Sequence, residues 1–364
     1  MRAQITTIEE FSEQHVRDWS ELSAEALEPN AYLAPEFVLP ACRWLKGSGS
    51  ALVARVENSS GSLTGLGVLA RIGRHLRFPF HSLRDFKTAH SFLGGVLLGK
   101  GDPVASFSAM ASALLAEPGV NAITLSNVPA DGAQWAAMHA AGSALGLTWV
   151  EGDRYSRATV APGTHDHEVW EEWVSKGRRK SIRRGRARLE AHGPLTWRIS
   201  TDGSAAEVDR FLMLEHSGWK GCNGSSLRSL RNHEMFFREM IQRFADRHGV
   251  FFTELLLNGQ IVAATCNLMT GQHGFAFKVA YDERYRQWSP GIINEVQFLE
   301  DNPLKHTLVH LDSGASAGSY VESLWPGRRL LVSGKWVGSG SPARWCRLEQ
   351  SLRKLKRRWR SDRK

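Results

Sequence analysis

Residues 273–299, HGFAFKVAYDERYRQWSPGIINEVQFL, carry the densest set of groups in the chain able to do chemistry. Residues 275–280 alternate Phe-Ala-Phe-Lys-Val-Ala, which predicts a strand with aromatic and aliphatic residues inward. A charged, aromatic loop follows over 282–288. Ser289-Pro290-Gly291 then opens a helix predicted to run to about Glu300. Serine suits an N-cap, proline suits the first helical turn, and glycine leaves space for a ligand to come close. A strand, a short loop and a capped helix gather free backbone N–H groups at one point, and such a point binds phosphate. Arg284, Arg286 and Gln287 precede that helix, so with Ser289 and Gly291 they are the phosphate-binding candidates. The competing reading is an ordinary capped helix after an exposed basic loop.

Other residues stand out by type and place. Lys278 lies in an otherwise apolar strand. Pointing inward it needs a partner and becomes a site candidate; pointing outward it is merely solvated. Alternation sets it opposite Phe275, Phe277 and Val279. Asp312 ends a predicted strand before Ser313-Gly314, a place that suits a site residue and equally a turn. Trp219 and Lys220 sit on a loop between helices, Trp219 packing or contacting substrate, Lys220 solvated or meeting an anion. The formal net charge is +9, concentrated in KGRRKSIRRGRAR (176–188) and in the tail RLEQSLRKLKRRWRSDRK. Clusters of this kind meet nucleic acid, an acidic membrane or an anionic cofactor, or else are solvated helix faces. His165 and His167 flank Asp166 with no second ligand cluster, so no metal site is expected. No Ser-His-Asp order and no Walker loop is present.

The elements that must hold these residues mix helices and strands throughout. A chain of 364 residues is long enough for two domains with buried cores. Helices are predicted over 7–28, 35–45, 103–116, 131–145, 167–191, 205–217, 232–247 and 320–324. Strands are predicted over 51–57, 63–72, 75–80, 92–98, 120–127, 147–151, 155–160, 195–200, 250–257, 260–268, 307–311 and 329–337, with 84–90 as loop. Asn258-Gly259 between two apolar runs predicts a hairpin. Adjacent strands among helices argue for an α/β (α+β) mixed sheet covered by helices. Ala161-Pro162-Gly163-Thr164 breaks the pattern and predicts domains at 1–160 and 165–340, with a basic helical tail at 341–364. Cysteines 42, 222, 266 and 346 have neither zinc nor disulfide spacing, no apolar run reaches the length of a membrane span, and MRAQITTIEEFSEQHV lacks an apolar signal segment. These features predict a reduced, cytoplasmic protein.

The second half resembles a known family. The residues that carry the resemblance are Arg178-Arg179-Lys180-Ser181-Ile182-Arg183-Arg184, Gly218-Trp219-Lys220-Gly221, Lys278-Val279-Ala280-Tyr281-Asp282, Tyr285, Ser289-Pro290-Gly291 and Leu311-Asp312-Ser313-Gly314. In this order they are similar to the GNAT acyltransferase superfamily, in its CelD-type branch associated with cellulose biosynthesis, which is itself similar to the Fem-type aminoacyl transferases. The resemblance implies two tandem GNAT-like domains with the complete one C-terminal. One departure is visible: the family's pyrophosphate loop has two closely spaced glycines, and this chain has Gly291 alone beside Pro290.

The resemblance also implies a chemistry. It is acyl transfer from acyl-CoA to an amine, or a hydroxyl, of a small-molecule, sugar or envelope-polysaccharide precursor, by direct attack in a ternary complex. The oxyanion donor would be a backbone N–H near Val279 and Tyr281. Asp282 would accept the amine proton and Tyr285 would protonate the thiolate, unless Asp282 caps the loop and Tyr285 packs. Lys278 and Asp312 are further catalytic candidates, and Trp219 and Lys220 are substrate-binding candidates. Fem-type relatives take aminoacyl-tRNA, which is the alternative donor. A non-catalytic module binding an anionic partner is the third reading. The basic tail adds a possible peripheral membrane contact.

Overall fold

Period-two and period-3.6 patterns segregate along this chain, and the elements follow them. The computed structural model describes all residues except 46–50, 77, 162–169, 302, 303, 305, 350 and 352–364. The N-terminal half contains β1 (Arg2–Thr7), α1 (Glu13–Glu25), α2 (Pro35–Trp44), β2 (Leu52–Glu57), β3 (Leu63–Ile72), β4 (His81–Asp85) and β5 (Leu97–Leu98). It continues with α3 (Pro103–Ala116), β6 (Val120–Pro129), α4 (Ala133–Ala144) and β7 (Thr148–Val160). The second half contains α5 (Lys176–Glu190), β8 (Leu195–Ser200), α6 (Ala205–Ser217), α7 (Trp219–Cys222), α8 (Arg231–Ala245) and β9 (Val250–Leu257). Then come β10 (Gln260–Thr270), β11 (His273–Tyr281), α9 (Pro290–Asp301), β12 (His310–Asp312) and β13 (Gly327–Val337).

Several expectations are corrected. The helix expected over 7–28 begins only at Glu13, after a strand and a short 3-10 turn. RAQITT pairs with β2, and six residues of alternation are outweighed by the longer helical pattern that follows them. The strand expected at 75–80 lies instead at β4, whose last two residues fall in the stretch expected to be loop. The two strands expected at 147–160 are one, β7. The start of the helix expected from 167 falls on residues outside those described, and α5 begins at Lys176, where Ser175 Oγ accepts from Arg178 N at 3.3 Å.

The chain forms two compact units that interleave in sequence. Unit 1 comprises Met1–Leu33, Ser50–Tyr155 and Leu330–Lys364; unit 2 comprises Ala34–Gly49 and Ser156–Arg329. The expected linear split at 161–164 therefore misses two exchanges. Helix α2 belongs to unit 2, and most of β13 belongs to unit 1. There β13 pairs antiparallel with β6, from Leu331 with Pro129 to Val337 with Ala122.

Within unit 1 the strand order is β1-β2-β3-β4-β6-β13, with β5 on β3, and the β4–β6 pair is parallel. Its core joins Val56, Leu69, Phe107, Met110, Leu125 and Trp336 beneath α3 and α4. Within unit 2 the order is β12-β11-β10-β9-β8, with β11 and β12 parallel. One face of this sheet is covered by α5 and α9 through Ile182, Leu189, Ile293 and Val296. The other is covered by α2, α6 and α8 through an aromatic stack in which Phe237 lies 5.7 Å from Phe211 and 6.2 Å from Phe277. Asn258 and Gly259, at φ +52° and +75°, make the predicted hairpin turn between β9 and β10. No helix among the described residues is long and apolar enough to cross a membrane.

Candidate functional site

The site in unit 2 starts from an interruption in strand pairing. β11 pairs with β10 along its length, but with β12 only at 273–275. The β10 register slips between Cys266 and Asn267: Cys266 faces Lys278 and Asn267 faces Ala276, so Phe277 is an extra residue, a β-bulge. Beyond it β11 has an open edge. Asp282 N–H donates to the Val262 carbonyl of β10 at 2.8 Å. Peptide groups alternate between the two edges of a strand, so those of Val279 and Tyr281 face the open one. The Val279 carbonyl accordingly accepts from Lys220 Nζ at 2.9 Å, and the same ammonium lies 3.1 Å from Glu215 Oε1.

The bulge also decides the direction of Lys278. It breaks the alternation that would have set Lys278 against Phe277, and the ammonium lies 5.2 Å from the Phe277 ring centroid. Both side chains face α6 and α8. Burial lowers the Lys278 pKa to about 8, opposed by Glu215 and reinforced by Lys220.

The loop that follows is a 3-10 turn, Glu283–Trp288. Asp282 caps it, accepting from Arg284 N at 3.0 Å, and Arg284 Nε and a terminal guanidinium nitrogen reach its two oxygens at 2.6–3.0 Å. Burial raises the Asp282 pKa, but the hydrogen bonds and charge of Arg284 outweigh that and leave the carboxyl below its ordinary range. Tyr285 packs near Trp288 and His192, at centroid distances of 5.8 and 6.4 Å, with the Arg284 guanidinium 5.6 Å from its ring. Of the alternatives for these two residues, the cap and the packing role are the ones the geometry fills.

Ser289 is not the extended N-cap expected. It adopts φ +55°, ψ +55°, and its carbonyl accepts from Ile292 and Ile293 N–H at 3.0 and 3.2 Å. Pro290 has no N–H to offer. The start of α9 therefore holds a free N–H at Gly291 but fewer than an ordinary helix start. A side chain at Gly291 would meet nothing closer than Tyr281 Cδ1, at 3.9 Å.

A cleft of about 230 Å³ opens at this point, lined by Val279, Tyr281, Arg286, Ser289, Gly291 and Tyr320 among others. Five sequence-predicted residues thus meet in one place. Arg284 and Gln287 are exposed and outside the lining. Trp219 is half exposed and, with Lys220, lines a separate cavity of about 20 Å³ that Val279 and Tyr281 also line. Asp312 is buried and committed elsewhere: Arg157 lies 3.2 Å away, Arg329 3.5 Å away, and Gly314 N donates to it at 2.8 Å. That ion pair corrects the expectation of a catalytic aspartate, since its oxygens are held inside the protein.

Residues 176–315 match the family described as an acetyltransferase (GNAT) domain. The fold is GNAT-like. Solved structures agree over nearly the whole chain. FemX aligns with a TM-score of 0.59 at 11% identity, covering 98% of this chain and 99% of its own. A conserved protein of unknown function from Bacteroides thetaiotaomicron gives 0.58 at 13%, covering 92% and 100%. The C-terminal domain of a putative lysylphosphatidylglycerol synthetase from Agrobacterium fabrum gives 0.54 at 10%, covering 93% and 95%. At these identities the likeness is one of fold. No curated protein matches the sequence.

Sequence reasoning missed Tyr320, which lines the GNAT-like unit's cleft, and the charges of Glu295 and Arg178 that act on it. Tyr320 lies on that cleft, 39% exposed, while desolvation and the charge of Glu295 raise its pKa, opposed by Arg178. Glu295 lies beneath, 8% exposed, its pKa raised to about 7 by burial. Arg178 Nε is buried without a hydrogen-bond partner. The available signal was a carboxylate set between Ile292, Ile293 and Val296 on the inward stripe of α9.

In unit 1 the comparable junction is filled by the protein itself. Beyond the β4–β6 pair, the buried Asp85 carboxylate accepts from Gly95 N at 2.8 Å, Ser126 N at 2.7 Å and Ser126 Oγ at 3.1 Å. A Cβ on Gly94 would lie 2.1 Å from Asp85 Oδ2, so only glycine fits there. At the start of α3, Asp102 accepts from Ala105 N at 2.9 Å, putting the chain's own carboxylate where an anion would bind. His165 and His167 lie outside the described residues, and among those described no group of three metal-ligating side chains assembles.

Proposed function

We propose that the GNAT-like unit 2 transfers an acyl group from acyl-CoA to an amine by direct attack in a ternary complex. The observation that carries this reading is the convergence of the open β11 edge at Val279 and Tyr281 with the start of α9 in one cleft. A thioester laid along that edge would direct its carbonyl at a free strand N–H, a fixed donor for the developing oxyanion. Its phosphates would reach Gly291 N and Arg286. The acceptor is a small molecule, sugar or envelope-polysaccharide precursor on the strength of the CelD-type resemblance, and a cytoplasmic setting goes with an acyl-CoA donor.

A specific observation favours a second donor, aminoacyl-tRNA. The start of α9 offers few free N–H groups, whereas Lys180, Arg184 and Arg188 form an exposed i, i+4, i+8 stripe on α5. Their neighbours Arg183 and Arg186 are paired with Glu171 and Glu300, while among the described residues the stripe makes no ion pair. Melting of the full chain with acetyl-CoA, longer acyl-CoAs, free CoA and bulk tRNA at two salt concentrations separates the readings. A ligand that binds the folded state raises the midpoint. A CoA shift lost in Arg286→Ala but kept in Arg284→Ala supports the first. A salt-sensitive tRNA shift, lost when the stripe is neutralised, with no CoA shift, replaces it by the second. No shift with either rejects both donors and leaves a non-catalytic module.

A further inference from the structure

The connection between α6 and α8 carries apolar side chains that the fold leaves uncovered. The two helices run antiparallel: Arg238 lies 2.6 Å from Asp209, and Leu227 N, just before α8, donates to Glu215 Oε2 at 2.8 Å. Met213 lies one turn beyond Asp209 toward the connection, Leu230 is the N-cap of α8 two turns before Arg238, and Trp219 opens α7 between them. The connection is tightly knit. Ser225 and Ser226 N–H donate to the Lys220 carbonyl at 2.8 and 3.1 Å, and a Cβ on Gly221 would lie 1.8 Å from the His216 carbonyl oxygen. Yet Met213, Trp219 and Leu230 are 54, 51 and 50% exposed. Three large apolar side chains half in water at one end of a helix pair mark a contact surface.

Charge selects the partner. From Arg210 to His233 the chain has four cations, Arg210, Lys220, Arg228 and Arg231, and one acid, Glu215. Glu215 is buried and held by Lys220 Nζ at 3.1 Å and by Leu227 N. Arg228 and Arg231 are exposed. Arg228 Nε lies 4.0 Å from Glu234 Oε2, while the other oxygen of Glu234 takes Arg238 at 2.7 Å. Among the described residues Arg231 makes no ion pair. Glu283, from the loop after β11, has its Oε1 3.5 Å from Trp219 N. The outward charge at this end is therefore positive. The cavity beside Trp219 holds only about 20 Å³, so the end offers protruding side chains rather than a groove for a peptide. Nucleic acid would meet the arginines and stack on Trp219, but it gains nothing from Met213 and Leu230. A bilayer with anionic headgroups takes all of them: aliphatic side chains among the acyl chains, the indole at headgroup level, the arginines on phosphate.

We propose that this end of unit 2, Met213, Trp219 and Leu230 with Arg228 and Arg231, docks on the surface of an anionic lipid bilayer. Trp219 and Lys220 share their cavity with Val279 and Tyr281, which also line the cleft at α9. Docking therefore holds the β11 wall of that cleft near the headgroups. The inference does not depend on which donor the cleft takes.

The test floats the full chain with vesicles of phosphatidylcholine, alone or with one third phosphatidylglycerol, at low and high salt. Binding is expected to the anionic vesicles only and to weaken with salt. Arg228→Gln with Arg231→Gln should lower the partition coefficient roughly 25-fold, about fivefold for each charge. Met213→Gln with Trp219→Gln and Leu230→Gln should lower it ~10-fold or more, because membrane affinity scales with buried apolar area. Two controls replace cations elsewhere by glutamine, Lys180, Arg184 and Arg188 on α5, or Arg357, Arg358 and Arg360 in the tail, and each should weaken binding less than either variant of the patch. Should the apolar triple fail to fold, a polarity-sensitive fluorophore on Cys222, exposed beside Trp219, takes its place and should shift to the blue on anionic vesicles. No binding to anionic vesicles, binding that survives both variants of the patch, or a fluorophore that stays in water overturns the proposal. So does self-association in sedimentation that the apolar triple removes, which would make the patch an interface between copies. Binding of bulk tRNA lost in the apolar triple, without vesicle binding, overturns it in favour of nucleic acid.

Discussion

Replacing Gly291 by alanine separates what the residue does for the fold from what it does for a ligand. In the empty protein an added Cβ meets only Tyr281 Cδ1, at an ordinary 3.9 Å, and φ at this residue is not in the left-handed region. Gly291 is the second residue of α9. Alanine there costs nothing sterically and restricts the unfolded chain, so urea denaturation should show a gain of about 0.4–1 kcal/mol. The same methyl projects into the cleft toward Tyr281, at the N–H expected to meet the donor's phosphate. Crowding a fitted contact by one methyl costs about 1–3 kcal/mol, which corresponds to a loss of acetyl-CoA affinity of roughly 5- to 150-fold. The assay pairs a denaturation curve without ligand with a calorimetric titration of acetyl-CoA. A more stable protein that binds acetyl-CoA as tightly as wild type would refute the placing of the donor at Gly291. A less stable one would refute the account of the free space.

Four further outcomes are expected. Gly185→Ala should destabilise by about 1–3 kcal/mol in urea denaturation, because its Cβ would lie 2.5 Å from the Trp288 carbonyl where α5 meets the loop. Asp312→Ala should lower stability by about 3–5 kcal/mol through the stranded Arg157 and Arg329, yet leave turnover per folded molecule unchanged, whereas a catalytic role would abolish turnover. For Glu295 the folded protein favours the protonated form, so its contribution to stability is full below pH 4.5 and is lost as pH rises to about 7. A pKa moved from 4.5 to about 7 corresponds to on the order of 3 kcal/mol; Glu295→Gln should therefore match wild type at pH 4 and exceed it at pH 8, measured by melting across pH. Finally, Phe237→Ala should cost about 3–5 kcal/mol in urea denaturation, since its ring is fully buried in the stack with Phe211 and Phe277.

Much of the second half was legible because its patterns are long and local. Predicted bounds for β8, α6 and β9 coincide with the observed ones, and Asn258-Gly259 marks its own turn. The convergence of Val279, Tyr281, Arg286, Ser289 and Gly291 was likewise readable, since strand, loop and helix are contiguous. What stayed hidden depends on partners distant in sequence. The direction of Lys278 turns on a bulge set by pairing with Cys266 and Asn267. Asp312 reads as a strand-end carboxylate until Arg157 and Arg329 are brought beside it. Glu295 looks like any helical glutamate until the fold buries it and sets its charge beside Tyr320. The six-residue β1 and the offset of β4 were lost because strands of five or six residues give a pattern too short to compete with their neighbours'.

The interleaving of the two units bears on how the chain is made. Unit 1 contains the first thirty-three residues and also everything from Leu330 onward, and β13 supplies the partner that β6 pairs with. A chain emerging from the ribosome N-terminus first presents β6 some two hundred residues before that partner exists. Domain-by-domain folding during synthesis, the usual course for long chains, is thus closed to unit 1, while unit 2 has all its segments once Arg329 is out. The later unit can finish first, and the nascent N-terminal sheet must wait with the β6 edge unpaired until synthesis is nearly complete. A truncation that ends before β13 would leave that edge bare and open to association with other chains.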